Sequence, residues 1–291
     1  MKEEQEACAQ AQFILTPSTL PRLVSMPGTA LHVARRPRTF VGVRGPEATT
    51  YLERMLSNEV ATLGEGESRE ALLLTPKGRV IAPMTVFRRG AEDFLLLTEP
   101  ELGERLRAEL LRSRFATKAE IELEQHSSVL VVGREAPPGA VANRDYGVPA
   151  YELVDEEPPD WAQLPDEELE RLRIHARTPR FGRELDERVL PAEAGLDERA
   201  ISFSKGCYPG QEPVARLHYR GRANRTLRLL ALESEPPASE PELTYDGKAV
   251  GRVTSAVRDP ENGVVALGFV RREVPADAEL RVGPLAVRQL N

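Results

Sequence analysis

The stretch Lys205-Gly206-Cys207-Tyr208-Pro209-Gly210-Gln211-Glu212, continued by Val214-Ala215-Arg216, gathers a thiol, two kinds of cation and two glycines into one short segment. A cysteine attacks electrophiles or disulfides, or binds metal, as its thiolate, and a cation such as Lys205 or Arg216 held near the sulfur favours that form. Gly206 and Gly210 permit backbone conformations or close approaches that a side chain blocks, and Pro209 stiffens the turn between them. Two readings stay open from the residues alone. One is a shaped loop that presents a functional thiol at Cys207. The other is a buried cysteine packed as a small apolar group, with Gln211 and Glu212 bracing the local backbone.

Other chemistry is sparse. The histidines at 32, 126, 175 and 218 are scattered, and no HExxH or CxxC spacing occurs, so neither a metal set nor a Ser-His-Asp constellation is read and no metal is expected. His218, followed by Tyr219-Arg220-Gly221, lies nearest the cysteine segment. The second cysteine, Cys8, stands far away in an acidic leader. Two such cysteines make no disulfide framework, which fits a reducing cytoplasm.

The elements that must position these residues follow from periodicity. FVGVRG from Phe40 predicts a strand, and PEATTYLERMLSNEV a helix with proline near its first turn. ALLLTP, a Lys77-Gly78 turn, RVIAPMTVFRR, a Gly90-Ala91 turn and DFLLLTEP predict an antiparallel meander. Leu102, Leu106 and Leu110 at four-residue spacing, with charges between them, predict an amphipathic helix over 101–114. AEIELEQ and SSVLVVG read as two more strands, EAPPGAVANRDYGVP as loop, and DEEPPDWAQLP as an exposed connection into a helix at about 166–177. The proline-rich ESEPPASEPE over 233–242 separates the central region from a tail of Gly-punctuated alternating runs. That tail is expected to be an antiparallel barrel or sandwich, and the class is α+β.

Bulk properties bound the answer. A chain of 291 residues, 41% hydrophobic and 29% charged, suits two or three soluble globular units. No apolar run approaches the roughly 20 residues that span a bilayer, and the first twelve residues lack the character of a signal or transit peptide. The net charge of -7 argues against a broad nucleic-acid footprint, though a local patch is compatible with it. Arginine makes up 34 of the 39 basic residues, which reads as compositional bias.

KGCYPGQEPVAR is similar to the K-G-C-Y-x-G-Q-E signature of the YgfZ family, whose eukaryotic relatives act in mitochondrial iron-sulphur protein maturation. LRIHARTPRFGRELDERVLPAEAGL resembles elements shared with the glycine-cleavage T-protein, an aminomethyltransferase. TPKGRVI, VGRVTSAV and ALGFVRR extend the likeness over about 22–287. The resemblance implies two intertwined α/β lobes around a central folate channel and a C-terminal antiparallel β-barrel. The expected division is a leader over 1–12, a folate-binding region of two lobes over 13–225, and the barrel over 226–291.

It also implies a ligand, tetrahydrofolate or a derivative. A pterin presents an aminopyrimidine edge of paired N–H donors, which a buried carboxylate accepts. GVPAYEL resembles the T-protein stretch that supplies such a glutamate, making Glu152 the candidate with Tyr151 beside it. Strand alternation lets only one of the two face the ligand, and Glu152 is the choice. The competing reading is a surface glutamate opening the acidic run Asp155-Glu156-Glu157. Arg173 matches the arginine of the T-protein's Thr-Leu-Arg element and is expected to meet the anionic glutamyl tail. Its neighbours Arg171, Arg177, Arg180 and Arg183 read instead as solvated charges paired with Glu168, Glu170 and Glu184.

The T-protein's Asp-Asp pair corresponds to Ala82 and Pro83, neither of which can move a proton, so aminomethyl transfer by that route is expected to be lost. The functional expectation is a folate-binding accessory factor for assembly or repair of iron-sulphur enzymes, including tRNA-modifying ones, in transient contact with clients or assembly proteins. One thiol cannot hold a cluster that takes four protein ligands. The alternative is a folate-dependent one-carbon transferase with a rearranged acid-base group.

Overall fold

A computed structural model describes residues 31–237 and 241–290, so the expected leader and Cys8 lie outside the described residues. The chain begins in one sheet and is at once diverted to another. β1 (His32–Ala34) is followed by β2 (Thr39–Arg44), α1 (Ala48–Met55), β3 (Ser68–Leu74), β4 (Val80–Gly90), β5 (Asp93–Thr98), α2 (Gly103–Arg114) and β6 (Glu120–Glu124). These last five strands form a sheet of their own, ordered β3-β4-β5-β2-β6. The chain then returns with β7 (Ser128–Val132), β8 (Val141–Asn143), β9 (Ala150–Val154) and β10 (Ala162–Gln163), which join β1 in the order β10-β1-β7-β9-β8. One sheet is therefore contiguous in sequence, while the other holds chain from both sides of it, β1 before and β7 to β10 after, so the two lobes intertwine.

The expected meander is β3-β4-β5; α2 buries Leu106 and Leu110 against this sheet's core, and Leu102 joins them from the 3-10 turn Pro100–Leu102 just before the helix. Proline inside a paired strand removes a donor. Pro83 is tolerated because it lies opposite Leu72 on one side only: β5 ends at Thr98, opposite Met84. Thr98 uses its hydroxyl to donate to the Pro83 carbonyl at 2.7 Å.

Three sequence expectations need correction. EAPPGAVANRDYGVP is not all loop, since β8 lies inside it, and three residues on a sheet edge leave no alternation to read. The acidic connection likewise contains the two-residue β10, parallel to β1. The proline-rich stretch does not separate the tail from what precedes it, because the closed barrel already has its first strand, β11 (Arg225–Leu232), before that stretch. The barrel continues through β12 (Glu242–Tyr245), β13 (Lys248–Asp259), β14 (Gly263–Arg271), β15 (Leu280–Val282) and β16 (Leu285–Leu290), ordered β11-β14-β13-β12-β15-β16.

Helix α3 (Asp166–His175) joins lobe to barrel. Its Leu169 and Leu172 pack with Ala34, Leu130 and Tyr146, while Ile174 packs with Leu229, Val265 and Leu267 on the barrel. The short α4 (Asp197–Ala200) and α5 (Gln211–Arg220) complete the fold. No helix among the described residues is long and apolar enough to cross a membrane.

Candidate functional site

Residues from both lobes close around a recess in which about 60 Å³ is open to water-sized molecules, room for roughly four of them. Its walls carry Arg36, Arg38, Glu99, Asp145, Tyr146 and Arg199, with Leu72, Pro83, Leu196 and Ala200 as the apolar part. Buried charges survive only when paired, and here they are. Arg36 holds Glu99 in a two-pronged contact of 2.9 and 2.6 Å. Asp145 takes Arg199 at 2.9 Å and lies 3.7 Å from Arg38. Burial alone would raise the Asp145 carboxyl, but Arg38, Arg199 and Arg36 outweigh it and hold it below the usual carboxylate range. Burial likewise pushes the Tyr146 hydroxyl up to about 12, with Arg36 opposing. A second hollow of about 620 Å³ adjoins the recess and shares Arg36, Glu99 and Arg180 with it.

The expected residues fall in different places. Glu152 is not a surface residue opening an acidic run: it is 1% exposed, on β9. Its carboxylate accepts from Arg38 Nε at 3.1 Å, from Arg38 NH2 at 2.6 Å and from Asn143 Nδ2 at 2.9 Å. Tyr151 points to the opposite face, where it packs with Val33 and Val131.

Arg173 lines the recess, where its donors are already engaged by protein groups. It is 2% exposed, with Nε and NH2 on Glu170 at 2.9 and 2.7 Å and NH1 on the Thr178 carbonyl at 2.6 Å and on Glu184 at 3.1 Å. Glu184 in turn accepts from the Ser255 hydroxyl of the barrel at 2.6 Å. The residue read as the tail anchor therefore ties the lobe to the barrel. Arg180, read as a charge paired with the neighbouring glutamates, does meet Glu170 at 3.2 Å, yet it also lines both hollows and among the described residues has a buried Nε without a hydrogen bond.

The cysteine segment is loop only as far as Gly210; Gln211, Glu212, Val214, Ala215 and Arg216 belong to α5. Cys207 is exposed, so the packed-cysteine reading does not hold. Lys205 is not a free cation beside the sulfur. Its ammonium turns inward to the carbonyls of Leu56 at 2.9 Å and Asn58 at 2.6 Å, with Glu53 at 3.3 Å, and burial draws its pKa below the ordinary value against the pull of Glu53. Arg216 stays exposed on α5.

The two glycines also differ. Gly210 has φ +83, and a Cβ there would meet the Thr75 carbonyl at 2.5 Å; Gly78, at φ +73, faces Pro213 and Val214. The TPKGR turn and the cysteine loop thus interlock through backbone. Gly206 has open space around it, which leaves the approach to Cys207 clear. Phe203 stacks on His218 at 3.8 Å while Gly210 caps the start of α5, so the loop carrying Cys207 runs back alongside that helix. Arg216, Tyr219 and Arg220 share the helix's outer face, and Tyr219 is 67% exposed.

Recess and loop have a common wall. Tyr208, next to Cys207, is buried in one apolar cluster with Leu72, Leu196 and Ala200, the side chains that line the recess. Among the described residues its hydroxyl has no hydrogen-bond partner, and burial pushes it up to about 12. Sequence reasoning missed Arg36, Arg38, Asn143, Asp145 and Arg199. A usable signal existed in Arg36-Pro37-Arg38, two arginines at extended-chain spacing around a proline.

No protein-family model matches the chain. It is 28% identical to the tRNA-modifying protein YgfZ of Edwardsiella ictaluri, over 86% of this chain and 87% of that one. It is 26% identical to the iron-sulfur cluster assembly factor IBA57 homolog, mitochondrial, of Pyricularia oryzae, over 89% of this chain and 76% of that one. The fold matches the glycine cleavage system aminomethyltransferase T of Bartonella henselae with a TM-score of 0.75 at 17% identity, over 90% of this chain and 86% of that one.

Proposed function

We propose, from the chain's place in the YgfZ-like branch of the aminomethyltransferase superfamily, that it is a folate-binding accessory factor for assembly or repair of iron-sulphur enzymes, tRNA-modifying ones among them. The observation that carries this reading is the common wall: the recess at the lobe junction and the loop of the exposed Cys207 are the two sides of one apolar layer. Binding on one side and thiol chemistry on the other then belong to one device.

In this reading tetrahydrofolate or a derivative places its ring at Glu152 and its tail toward Arg173, which lines the recess, and Arg180, which lines both the recess and the adjoining hollow. Cys207 meets clients transiently, as a lone thiol can, and the outer face of α5 is the surface they touch. Aminomethyl transfer by the T-protein route finds no support at the matching positions, because Ala82 is buried and Pro83 lines the recess without a group that could move a proton. Equilibrium dialysis with tetrahydrofolate tests the reading: Glu152→Ala should bind about thirtyfold more weakly, the loss of roughly 2 kcal/mol from a charge-assisted contact. Undiminished binding by that variant refutes it.

A further inference from the structure

Arg38 leads into β2 of one sheet, and the carboxylate it holds lies on β9 of the other. Nε stands 3.1 Å from both Glu152 oxygens and NH2 stands 2.6 Å from Oε1, so two N–H groups on one planar carbon face one carboxylate. A 2-amino-4-oxopyrimidine edge carries the same donors in the same arrangement: a ring N–H and an amine on one carbon. Glu152 cannot serve both. Asn143 already takes further acceptor capacity on Oε1 at 2.9 Å, and no part of the carboxylate is among the groups that line the recess, whereas Arg38 is.

We propose that Arg38 is a built-in stand-in for the ligand's ring edge, a plug that satisfies Glu152 until a ring bearing a cyclic guanidine edge displaces it. The proposal rests on reading Glu152 as the ring-binding carboxylate and adds an internal competitor and a rule of selection. The displaced guanidinium has somewhere to go. Asp145 Oδ2 lies 3.7 Å from NH2, so a short swing trades one carboxylate for another without stranding the charge. Rings whose 2-position is a carbonyl present an acceptor to Glu152 and cannot take the plug's place.

Titration calorimetry with tetrahydrofolate, on the parent, Arg38→Ala, Arg38→Gln and Glu152→Ala, tests the plug, with 6-methylpterin against pteridine-2,4-dione on the parent as the selection arm. A plug lowers apparent affinity by the fraction of molecules in which it is withdrawn, so both Arg38 variants should bind about tenfold more tightly while Glu152→Ala binds more weakly. Arg38→Gln keeps one donor for Glu152 and serves where the alanine variant leaves too little folded protein. If Glu152→Ala loses affinity and the Arg38 variants gain none, the plug is wrong and the ring-binding reading stands. If Glu152→Ala loses nothing, both fall. Equal affinity of the parent for the pterin and the dione overturns the rule of selection.

Discussion

At Cys207 the decisive property is access. The thiol sits beside a glycine with open space and is presented, not packed, as thiol–disulfide exchange requires of an attacking sulfur. Its neighbours do the structural work: Tyr208 anchors the loop in the apolar wall, and the Lys205 ammonium pins it to the end of α1 through two carbonyls. Cys207→Ser keeps the size and replaces a thiol that can exchange with disulfides by a hydroxyl that cannot. An exposed substitution of this kind changes stability by less than about 0.5 kcal/mol. The variant should therefore unfold at the parent's temperature yet fail to support iron-sulphur enzymes in a strain lacking the native protein. Full complementation at matched abundance would leave the loop without a thiol role.

At the scale of elements, the ends of β6 and β9 are joined by charge. His126 lies 2.7 Å from Glu124 and 2.5 Å from Asp155, and Arg89 holds Glu124 from the other side at 2.7 Å. Partial burial opposes the imidazolium, but the two carboxylates outweigh it and raise its pKa above the ordinary 6.5. Burial also opposes the Glu124 carboxylate, and Arg89 and His126 together still bring it down to about 2. A raised histidine contributes stability in full below 6.5 and loses it as pH rises through the folded value. A lowered carboxylate contributes above its ordinary 4.5 and loses it as pH falls toward 2. Melting scans should show the cluster's greatest effect between about pH 4.5 and 6.5, and His126→Gln should flatten the decline above 6.5; an unchanged profile contradicts the sign. None of this was legible in the sequence, where His126 is one of four scattered histidines. The meander, α2 and the barrel's later strands were legible because each repeats an apolar position at strand or helix spacing. β1, β8 and β10 were not, being two or three residues long, and the motif that put Arg173 at the recess gave its position but not the partners of its donors.

Across the whole molecule, residues of both lobes form the recess, and the wall behind it is shared with the cysteine loop. The stitching is specific. The Ser57 hydroxyl donates to the Ala200 carbonyl at 2.6 Å and accepts from the Leu72 amide at 2.8 Å, and the Ser202 amide donates to the Ser57 carbonyl at 2.9 Å. Leu72 and Ala200 face the recess, while Ser202 opens the segment that leads to Cys207. Close-packed interiors transmit displacement instead of absorbing it, so a ring that fills the recess should firm the packing behind Tyr208 and hold the loop nearer its ligand-free position. In a Cys8→Ser background, alkylation of Cys207 by iodoacetamide should slow by roughly fivefold at saturating tetrahydrofolate, a coupling of about 1 kcal/mol. Glu152→Ala should move the half-point of this slowing about thirtyfold higher in tetrahydrofolate, because it weakens binding and leaves the wall intact. A rate that stays constant through saturation of the parent would show that the two sides of the wall act independently.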